Sequence, residues 1–287
     1  MDVNTIISFV SGPGLLPQLI ITVVGFLVLY AVLTVAETIV NTVKSFYRQT
    51  AVIQNDTVNS SFKLLQDLNG DSPLIFPSNN ESQGMEFSYS MFIFIDPKTF
   101  NKDVAQVCNG STTNNATMLK HIFHKGSKAG FPLISPGVFV MGDRNTIRIY
   151  MNSSTKWDNF VEVPNIPVAK WFHLVITLKG KYMDVFINGN ISVRHEFQTV
   201  PKLNYGNVYV MTPLTFPKPN MQIASVGDFK IDNAMEGMVS RIRYYAYALN
   251  YSQIDSLYRE GPSTTIVSKS FSQVPPYFYD DWWVNRY

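Results

Sequence analysis

The chain has 287 residues, of which 46% are apolar and 15% are charged. So low a charged fraction is unusual for a soluble protein and indicates that part of the apolar content lies in lipid. The formal net charge is only +2, and no basic stripe of the kind that binds nucleic acid stands out. The single cysteine, Cys108, excludes an intramolecular disulfide and a Cys-ligated zinc site.

The first predicted element is a transmembrane helix at residues 18–40, after an N-terminal segment of residues 1–17. The run from Leu19 to Ala36 holds no charged side chain and, at about 1.5 Å per residue, crosses most of the hydrocarbon of a bilayer. A cleaved signal peptide is the alternative, with Thr34-Val35-Ala36 as a weak cleavage site. The segment before the run has no Lys or Arg, and the run exceeds the roughly 7 to 15 residues of a signal peptide. The lipid bilayer is therefore a predicted partner.

The orientation of this helix is left open, because two signals conflict. Lys44 and Arg48 follow the helix, while only Asp2 and the terminal amine precede it, and the positive-inside rule then places the rest of the chain in the cytosol. An excess of N-x-S/T sequons instead favours a luminal or extracellular location. The eight sequons begin at Asn55, Asn59, Asn80, Asn109, Asn115, Asn152, Asn190 and Asn250.

After the helix the sequence predicts a polar stalk at residues 41–73 and a β-sandwich at residues 74–261. The sandwich begins with an alternating run from Glu86 that puts five apolar side chains on one face. These are Phe87, Tyr89, Met91, Ile93 and Ile95. An Asn188-Gly189 pair is the best hairpin signal, because both residues tolerate the positive φ of a two-residue turn.

Short β-like runs separated by Gly, Pro, Asn and Asp turns continue through this region, which is typical of an all-β sandwich. One short helix is expected at Tyr251 to Arg259, capped by Asn250 or Ser252. A tail at residues 262–287, rich in proline and aromatic residues, ends the chain. The runs are Leu119 to His124, Gly137 to Met141, Thr146 to Met151, Trp171 to Leu178, Met183 to Ile187, Ile191 to Phe197, Asn207 to Met211, Gln222 to Val226 and Gly237 to Tyr247.

Two blocks of sequence resemble concanavalin A-like domains of the laminin-G and pentraxin type. Trp171-Phe-His-Leu-Val-Ile-Thr-Leu-Lys-Gly180, followed by Met183 to Asn190, is similar to the central hairpin of that family. Gly237 to Ile254 is similar to its closing strand and the helix after it. The resemblance implies a two-sheet antiparallel jelly-roll sandwich. Trp171, Leu174, Ile176 and Leu178 are expected on one side of their strand, and His173 is expected to pack or hydrogen-bond within the sheet.

Catalytic patterns are weak in this sequence. Glycanases of this fold carry alternating carboxylates on one strand, whereas Glu86 stands alone and Asp184 has no second acid two residues on. His121 and His124 lie three apart in a strand and are expected to point to opposite faces, so they could not share a metal without a bend in the strand. No Rossmann or P-loop motif has a plausible context, which argues against a nucleotide. The chain is therefore predicted not to be an enzyme.

Members of the resembled family hold Ca²⁺ on the sandwich rim with carboxylates and backbone carbonyls. By that resemblance Asp143, Asp228 and Asp232 are the candidate ligands, and Ca²⁺ is the one cofactor considered. Their Gly-Asp and Asp-Asn contexts are also ordinary turn chemistry.

Two groups of aromatic residues are candidates for binding. Trp157 with Asp158 and Asn159 has the flat apolar face and polar neighbours that a sugar ring needs, although it could equally anchor a loop. The tail gathers more apolar surface than solvent readily accommodates, so it either folds back on the sandwich or docks on a partner. The tail residues concerned are Tyr277, Phe278, Tyr279, Trp282, Trp283 and Tyr287.

Two functions follow, and they differ in the side of the membrane. The first is a single-pass, membrane-anchored, lectin-like adhesion module that recognises a glycan or a protein. The second is a structural virion protein that tethers a capsid or another protein layer to a bilayer, in the manner of proteins from large DNA viruses. A hydrolase is a third possibility, with Glu86, Asp143 and Asp184 as the carboxylates to mutate.

Overall fold

The structure is a computed structural model that describes residues 14–47, 49–68, 70, 72–78, 84–100, 105–108, 111–114, 118–217 and 229–267. The chain divides into two compact units, Met1–Arg48 and Gln49–Tyr287. Among the described residues, the first unit contains one helix and the second is built mainly from β-strands. The predicted fold class, two antiparallel sheets preceded by an apolar helix, is confirmed.

Helix α1 (Leu15–Tyr47) supplies the first unit. Its most apolar stretch, Ile21–Val40, has a mean hydropathy of 2.3 and is not buried against any other described part of the protein. The hydroxyls of Thr22 and Thr38 donate to the backbone oxygens of Gln18 and Thr34 at 2.8 Å, so these polar groups are satisfied within the helix. By length and composition α1 is suited to cross a membrane or to serve as a signal sequence.

In the second unit, eight described strands form sheet A, with the order β13-β12-β11-β4-β17-β2-β18 and β1 paired to β17. The pairs are antiparallel except for β18 beside β2. The strands are β1 (Thr50–Gln54), β2 (Thr57–Val58), β4 (Glu86–Ile95), β11 (Trp171–Lys179), β12 (Tyr182–Ile187), β13 (Asn190–Glu196), β17 (Gly237–Tyr245) and β18 (Ile266–Val267).

Eight further strands form sheet B, with the order β10-β9-β8-β7-β14-β3, and β16 pairs with both β7 and β15. A separate two-stranded ribbon pairs β5 (Ala105–Cys108) with β6 (Ser111–Asn114). The sheet B strands are β3 (Phe62–Leu64), β7 (Leu119–Gly126), β8 (Ile134–Met141), β9 (Ile147–Met151), β10 (Asn159–Val163), β14 (Asn207–Val210), β15 (Thr215–Phe216) and β16 (Ile231–Ala234).

The main core lies between the facing sides of the two sheets. The five alternating apolar residues predicted on β4 are all buried in it, which confirms their common face. The ring of Tyr89 on sheet A lies 5.3 Å from that of Phe123 on sheet B, so aromatic packing joins the two layers directly. Burying both apolar faces in this way is what makes a sandwich stable.

The hairpin between β12 and β13 turns at Asn188 and Gly189, which have φ values of 52° and 80°. This confirms the predicted two-residue turn, because both positions require a left-handed backbone. The side chain of Asn188 also accepts a hydrogen bond from the backbone N–H of His173 at 2.9 Å. The turn is therefore tied to β11 as well as to its own hairpin.

The predicted stalk is wrong for residues 50–64, which form β1, β2 and β3 of the two sheets. Alternation in this segment is short and its polar residues dominate, but Ala51, Ile53 and Val58 point into the core. The predicted strand Gln222 to Val226 lies outside the described residues. The other predicted runs overlap observed strands.

Trp171 also departs from the prediction. It lies on the outer face of sheet A with its ring 5.7 Å from that of Phe94, whereas Phe172 takes the inward position beside Leu174. The strict period of two along β11 puts residues 172, 174, 176 and 178 on the core side, so residue 171 must face the other way.

Candidate functional site

Helix α2 (Tyr251–Glu260) packs on the outer face of sheet A. Ile254 is fully buried there, and it belongs to a small apolar cluster with Val175, Tyr245, Tyr247 and Leu249. The helix starts in a capping box: the Asn250 side chain accepts from the Gln253 backbone N–H at 2.9 Å, and the Gln253 side chain accepts from the Asn250 N–H at 3.0 Å. The predicted helix and its Asn250 cap are confirmed.

The other end of α2 is fixed by ion pairs to β17. Glu260 accepts from both Arg241 and Arg243, and the Arg243 Nη2 to Glu260 Oε1 distance is 2.7 Å. The hydrogen bond from Arg243 lowers the pKa of the Glu260 carboxyl, and the charges of Arg243 and Arg241 act in the same direction. The helix is thus held to the sheet at both ends.

Between α2 and the end of β17 lies a groove with a volume of about 280 Å³. One wall is formed by Tyr245, Tyr247 and Leu249. The opposite wall is formed by Ser252, Gln253, Ser256 and Leu257 of α2. The two tyrosine rings lie 5.8 Å apart at 75° to one another, so together they line the groove with ring surfaces of different orientation.

The groove combines apolar ring surface with uncharged polar groups. Burial raises the pKa of the Tyr245 hydroxyl despite the nearby Arg243, so this hydroxyl is neutral at physiological pH. The Tyr, Ser and Gln side chains therefore offer hydrogen-bond donors and acceptors, the Leu side chains are apolar, and none of these groups carries a formal charge. Such a lining suits a neutral ligand with an apolar face and hydroxyl groups, such as a sugar ring.

Sequence reasoning did not find this groove. The signal was present, because Tyr245 and Tyr247 are two apart at a strand end and lie directly before an amphipathic helix. What the sequence does not reveal is that the helix folds back over the outer face of the sheet. That placement depends on Arg241, Arg243 and Glu260, which lie 17 to 19 residues apart along the chain.

His173 lies beneath α2 in the same face of the sheet. Its Nε2 is 2.8 Å from the Ser90 hydroxyl oxygen, and its ring is stacked between Phe92 and Tyr258 at centroid distances of 4.6 and 6.2 Å. Burial, followed by the charge of Arg243, lowers the pKa of His173 to about 4. The expected structural role is confirmed, since both residues are buried and this serine–histidine pair is closed to a substrate.

The predicted ligand residues Trp157, Asp158 and Asn159 hold a loop together. The Trp157 ring packs edge-on against Phe131 at 4.9 Å and Phe229 at 5.4 Å. Asn159 donates to the Ser153 hydroxyl at 2.8 Å, and Asp158 lies 3.6 Å from the Lys156 ammonium. Trp157 remains half-buried, so a binding role for these three residues stays a prediction.

The predicted Ca²⁺ ligands are spread over different environments. Asp143 is exposed in the turn between β8 and β9, while Asp232 on β16 accepts from the Lys120 ammonium at 2.9 Å. Asp228 lies outside the described residues. No group of three or more His, Cys, Asp or Glu side chains that could hold a metal occurs in the described part of the chain. The Ca²⁺ site stays a prediction.

The six aromatic residues of the tail lie outside the described residues, so their predicted partner-binding role stays a prediction. The carboxylates considered for hydrolysis do lie in described segments. Asp184 forms a two-point ion pair with Arg194 across β12 and β13, with oxygen to nitrogen distances of 2.6 and 2.7 Å. Glu86 is buried at the start of β4 on the same sheet, and Asp143 lies on sheet B.

The prediction that His121 and His124 point apart is wrong. A register shift between His121 and Phe123 rotates the strand, and the His121 Nε2 and His124 Nδ1 atoms come within 2.7 Å. A bulge adds one residue to the strand, so residues three apart share a face instead of opposing each other. The sequence gives no clear signal for this bulge.

Comparisons with known proteins find no matching family model and no matching curated protein. Among solved structures, the botulinum neurotoxin serotype D ligand-binding domain in complex with N-acetylneuraminic acid is 16% identical, with a TM-score of 0.43. The receptor-binding domain of the C/D mosaic serotype is 16% identical with a TM-score of 0.44, and that of type G is 14% identical with a TM-score of 0.41. Each comparison covers 74% of this chain and 46% of the other, so this chain spans about half the length of those structures.

Proposed function

We propose that this protein is a single-pass, membrane-anchored binding module without catalytic activity, whose sandwich takes a neutral glycan in the groove beside α2. Helix α1 serves as the anchor, because its stretch Ile21–Val40 exposes apolar side chains on all sides. The sandwich then lies on the luminal or extracellular side of the membrane. This is the location expected for the first function predicted from the sequence, a lectin-like adhesion module.

The groove is the observation that carries the proposal. Its aromatic wall is rigid, since Tyr245 and Tyr247 are largely buried and packed against Leu249 and Ile254. The part of this wall that remains exposed is preformed, so a sugar ring can contact it with little loss of conformational freedom. On the facing wall the Ser256 hydroxyl donates to the Ser252 backbone oxygen, and the Gln253 side-chain oxygen accepts from the Asn250 N–H. The Ser252 hydroxyl, the lone pairs of the Ser256 hydroxyl and the amide N–H groups of Gln253 are the groups that would bond the ring hydroxyls.

The positions of the sequons support the luminal side. Asn59 and Asn190 are exposed, so a glycosyltransferase can reach them. Asn152 is instead buried, with its amide donating to the backbone oxygens of Pro132 and Trp157 at 3.0 and 2.8 Å. Exposed sequons are therefore available at the surface of the sandwich itself.

A groove-filling variant tests the proposal. Purified full-length protein in detergent is applied to a glycan array with Ca²⁺ and with a chelator, and affinities for the glycans it retains are measured. Ser256→Trp places a large ring in the groove and should weaken binding at least tenfold, while Arg259→Trp, at a side chain 77% exposed on the same helix, should leave it unchanged. Binding that is equally strong in both variants, or no binding to any glycan, would contradict the groove assignment.

A structural tether is the second candidate, in which the sandwich joins a bilayer to a capsid or another protein layer. It is favoured by Lys44 and Arg48, because positive charge after the apolar stretch Ile21–Val40 would place the sandwich in the cytosol. In that case the sequons stay unmodified and the partner is a protein. The side of the membrane therefore separates the two functions.

A further inference from the structure

Two buried histidines form a short hydrogen-bonded chain in sheet B. The backbone N–H of Thr212 donates to His121 Nδ1 at 3.0 Å, His121 Nε2 and His124 Nδ1 are 2.7 Å apart, and His124 Nε2 lies 2.8 Å from the backbone oxygen of Ser127. Both imidazoles are fully buried. The chain thus connects the segment after β14 to the turn after β7 through two side chains of β7.

The end groups of this chain fix the protonation of both rings. A backbone N–H can only donate, so His121 Nδ1 carries no proton, and a carbonyl can only accept, so His124 Nε2 carries one. His121 Nε2 must then donate to His124 Nδ1, which leaves both imidazoles neutral. A further proton on His121 Nδ1 would face the N–H of Thr212, and one on His124 Nδ1 would face the Nε2–H of His121. In both cases two donors would meet without an acceptor between them.

Aromatic rings pack against the pair, and lysine side chains lie on the neighbouring positions and elements. Tyr209 on β14 stacks on His124 at 4.8 Å, and the Lys63 ammonium lies 5.6 Å above that tyrosine ring. Lys120 and Lys125 flank the pair on β7 itself. On β16, Asp232 is engaged with Lys120. On β8, the neighbour of His121 is the uncharged ring of Phe139, at 5.5 Å.

We propose that the His121–His124 pair is an acid-sensitive latch, in which uptake of one proton breaks the chain between Thr212 and Ser127 and loosens this end of sheet B. The latch is closed at neutral pH, where every member of the chain has its partner. A fall in pH shifts the equilibrium towards the open form. This inference does not depend on the glycan groove, which lies on the outer face of sheet A.

The expected size of the effect follows from proton linkage. Burial lowers the pKa of His124 from 6.5 to about 4, and burial and the neighbouring imidazole lower the pKa of His121 further below its ordinary value. For His124 alone, lowering the pH from about 7 to about 5 should raise the opening equilibrium about 20-fold. His121 acts in the same direction.

Hydrogen–deuterium exchange on the full-length protein in detergent tests the latch. After correction for intrinsic exchange rates, peptides covering residues 119–130 and 207–216 should lose protection about 20-fold between pH 7 and pH 5. His124→Gln supplies a donor and an acceptor that do not titrate, and it should remove most of this loss. His195→Gln, at a half-buried histidine on β13, should not.

Retained protection at pH 5, or an unchanged acid effect in His124→Gln, would overturn the proposal. If that variant does not fold, nuclear magnetic resonance titration of the wild-type imidazoles decides the question. We expect the His124 ring to stay neutral down to about pH 5 and the Thr212 amide to change with the midpoint of the imidazole titration. Titration of both rings near pH 6.5 with no change at Thr212 would also overturn it.

Discussion

His121, His124 and His173 are buried as neutral imidazoles, each in a different hydrogen-bonding environment. The Nε2 atom of His173 shares a hydrogen bond with the Ser90 hydroxyl, in which either group can be the donor. Its Nδ1 has no hydrogen-bond partner among the described residues. Burial without a carboxylate partner favours the neutral form of an imidazole. Each of these residues therefore makes the stability of the sandwich depend on pH.

Replacing His173 should reduce the acid sensitivity of the whole sandwich. Because its pKa is lowered from 6.5 to about 4 in the folded state, the unfolded state takes up the proton first. Its contribution to stability is fully present above pH 6.5 and is lost as the pH falls towards 4. Between pH 7 and pH 5 the loss is about 2 kcal/mol for this residue.

Chemical denaturation of full-length His173→Gln, followed by tryptophan fluorescence, measures this contribution. The drop in unfolding free energy from pH 7 to pH 5 should be about 2 kcal/mol smaller than in the wild type. His195→Gln is the control and should retain the wild-type drop. An unchanged drop in His173→Gln would show that the histidine is protonated or solvated in the folded protein.

At the scale of single elements, α2 shows how local signals and distant contacts combine. Its range and its start were predicted from the sequence, with Asn250 or Ser252 as the cap, and the structure selects Asn250. Its position over Tyr245 and Tyr247 was not, because it depends on ion pairs with β17. The sequence therefore predicted the strand and the helix that form the two walls of the groove, but not that they lie side by side.

Removing the cap should affect stability and binding together. Asn250→Ala deletes the side chain that accepts from the Gln253 N–H and should lower the unfolding free energy by about 1 kcal/mol. Because the first turn of α2 forms one wall of the groove, glycan affinity should fall as well. Thermal unfolding and array binding measure the two effects, with Asn59→Ala at an exposed loop position as the control. A lower melting temperature with unchanged affinity would show that the first turn of α2 does not contribute to glycan binding.

Strand signals were reliable where the alternation was regular and misleading where it was interrupted. The alternation along β4 predicted correctly which side chains face the core, and Asn188-Gly189 predicted correctly the turn between β12 and β13. The bulge in β7 reversed the expected relation of His121 and His124. After a single inserted residue, every later side chain of the strand points to the opposite face from the one that strict alternation predicts. The amino-acid sequence around the bulge gives no strong signal for the insertion.

At the scale of the whole chain, composition and the long apolar run were enough to predict a helix that can enter a membrane and an all-β remainder. The extent of the sandwich was underestimated at residues 50–64. This segment forms the short strands β1 and β2 of sheet A and β3 of sheet B. Such short strands gain their order from pairing with β17 and β14 and carry little periodicity of their own.

The side of the membrane is the most direct test of the proposed function. The full chain is expressed in eukaryotic cells, treated with an N-glycosidase, and assayed by protease protection of intact microsomes. We predict a gel shift that becomes smaller when Asn59 and Asn190 are both replaced by Gln, that is unaffected by Asn152→Gln, and that is accompanied by protection of the sandwich. No gel shift together with full protease sensitivity would contradict the account, and it would place the sandwich in the cytosol as a tether.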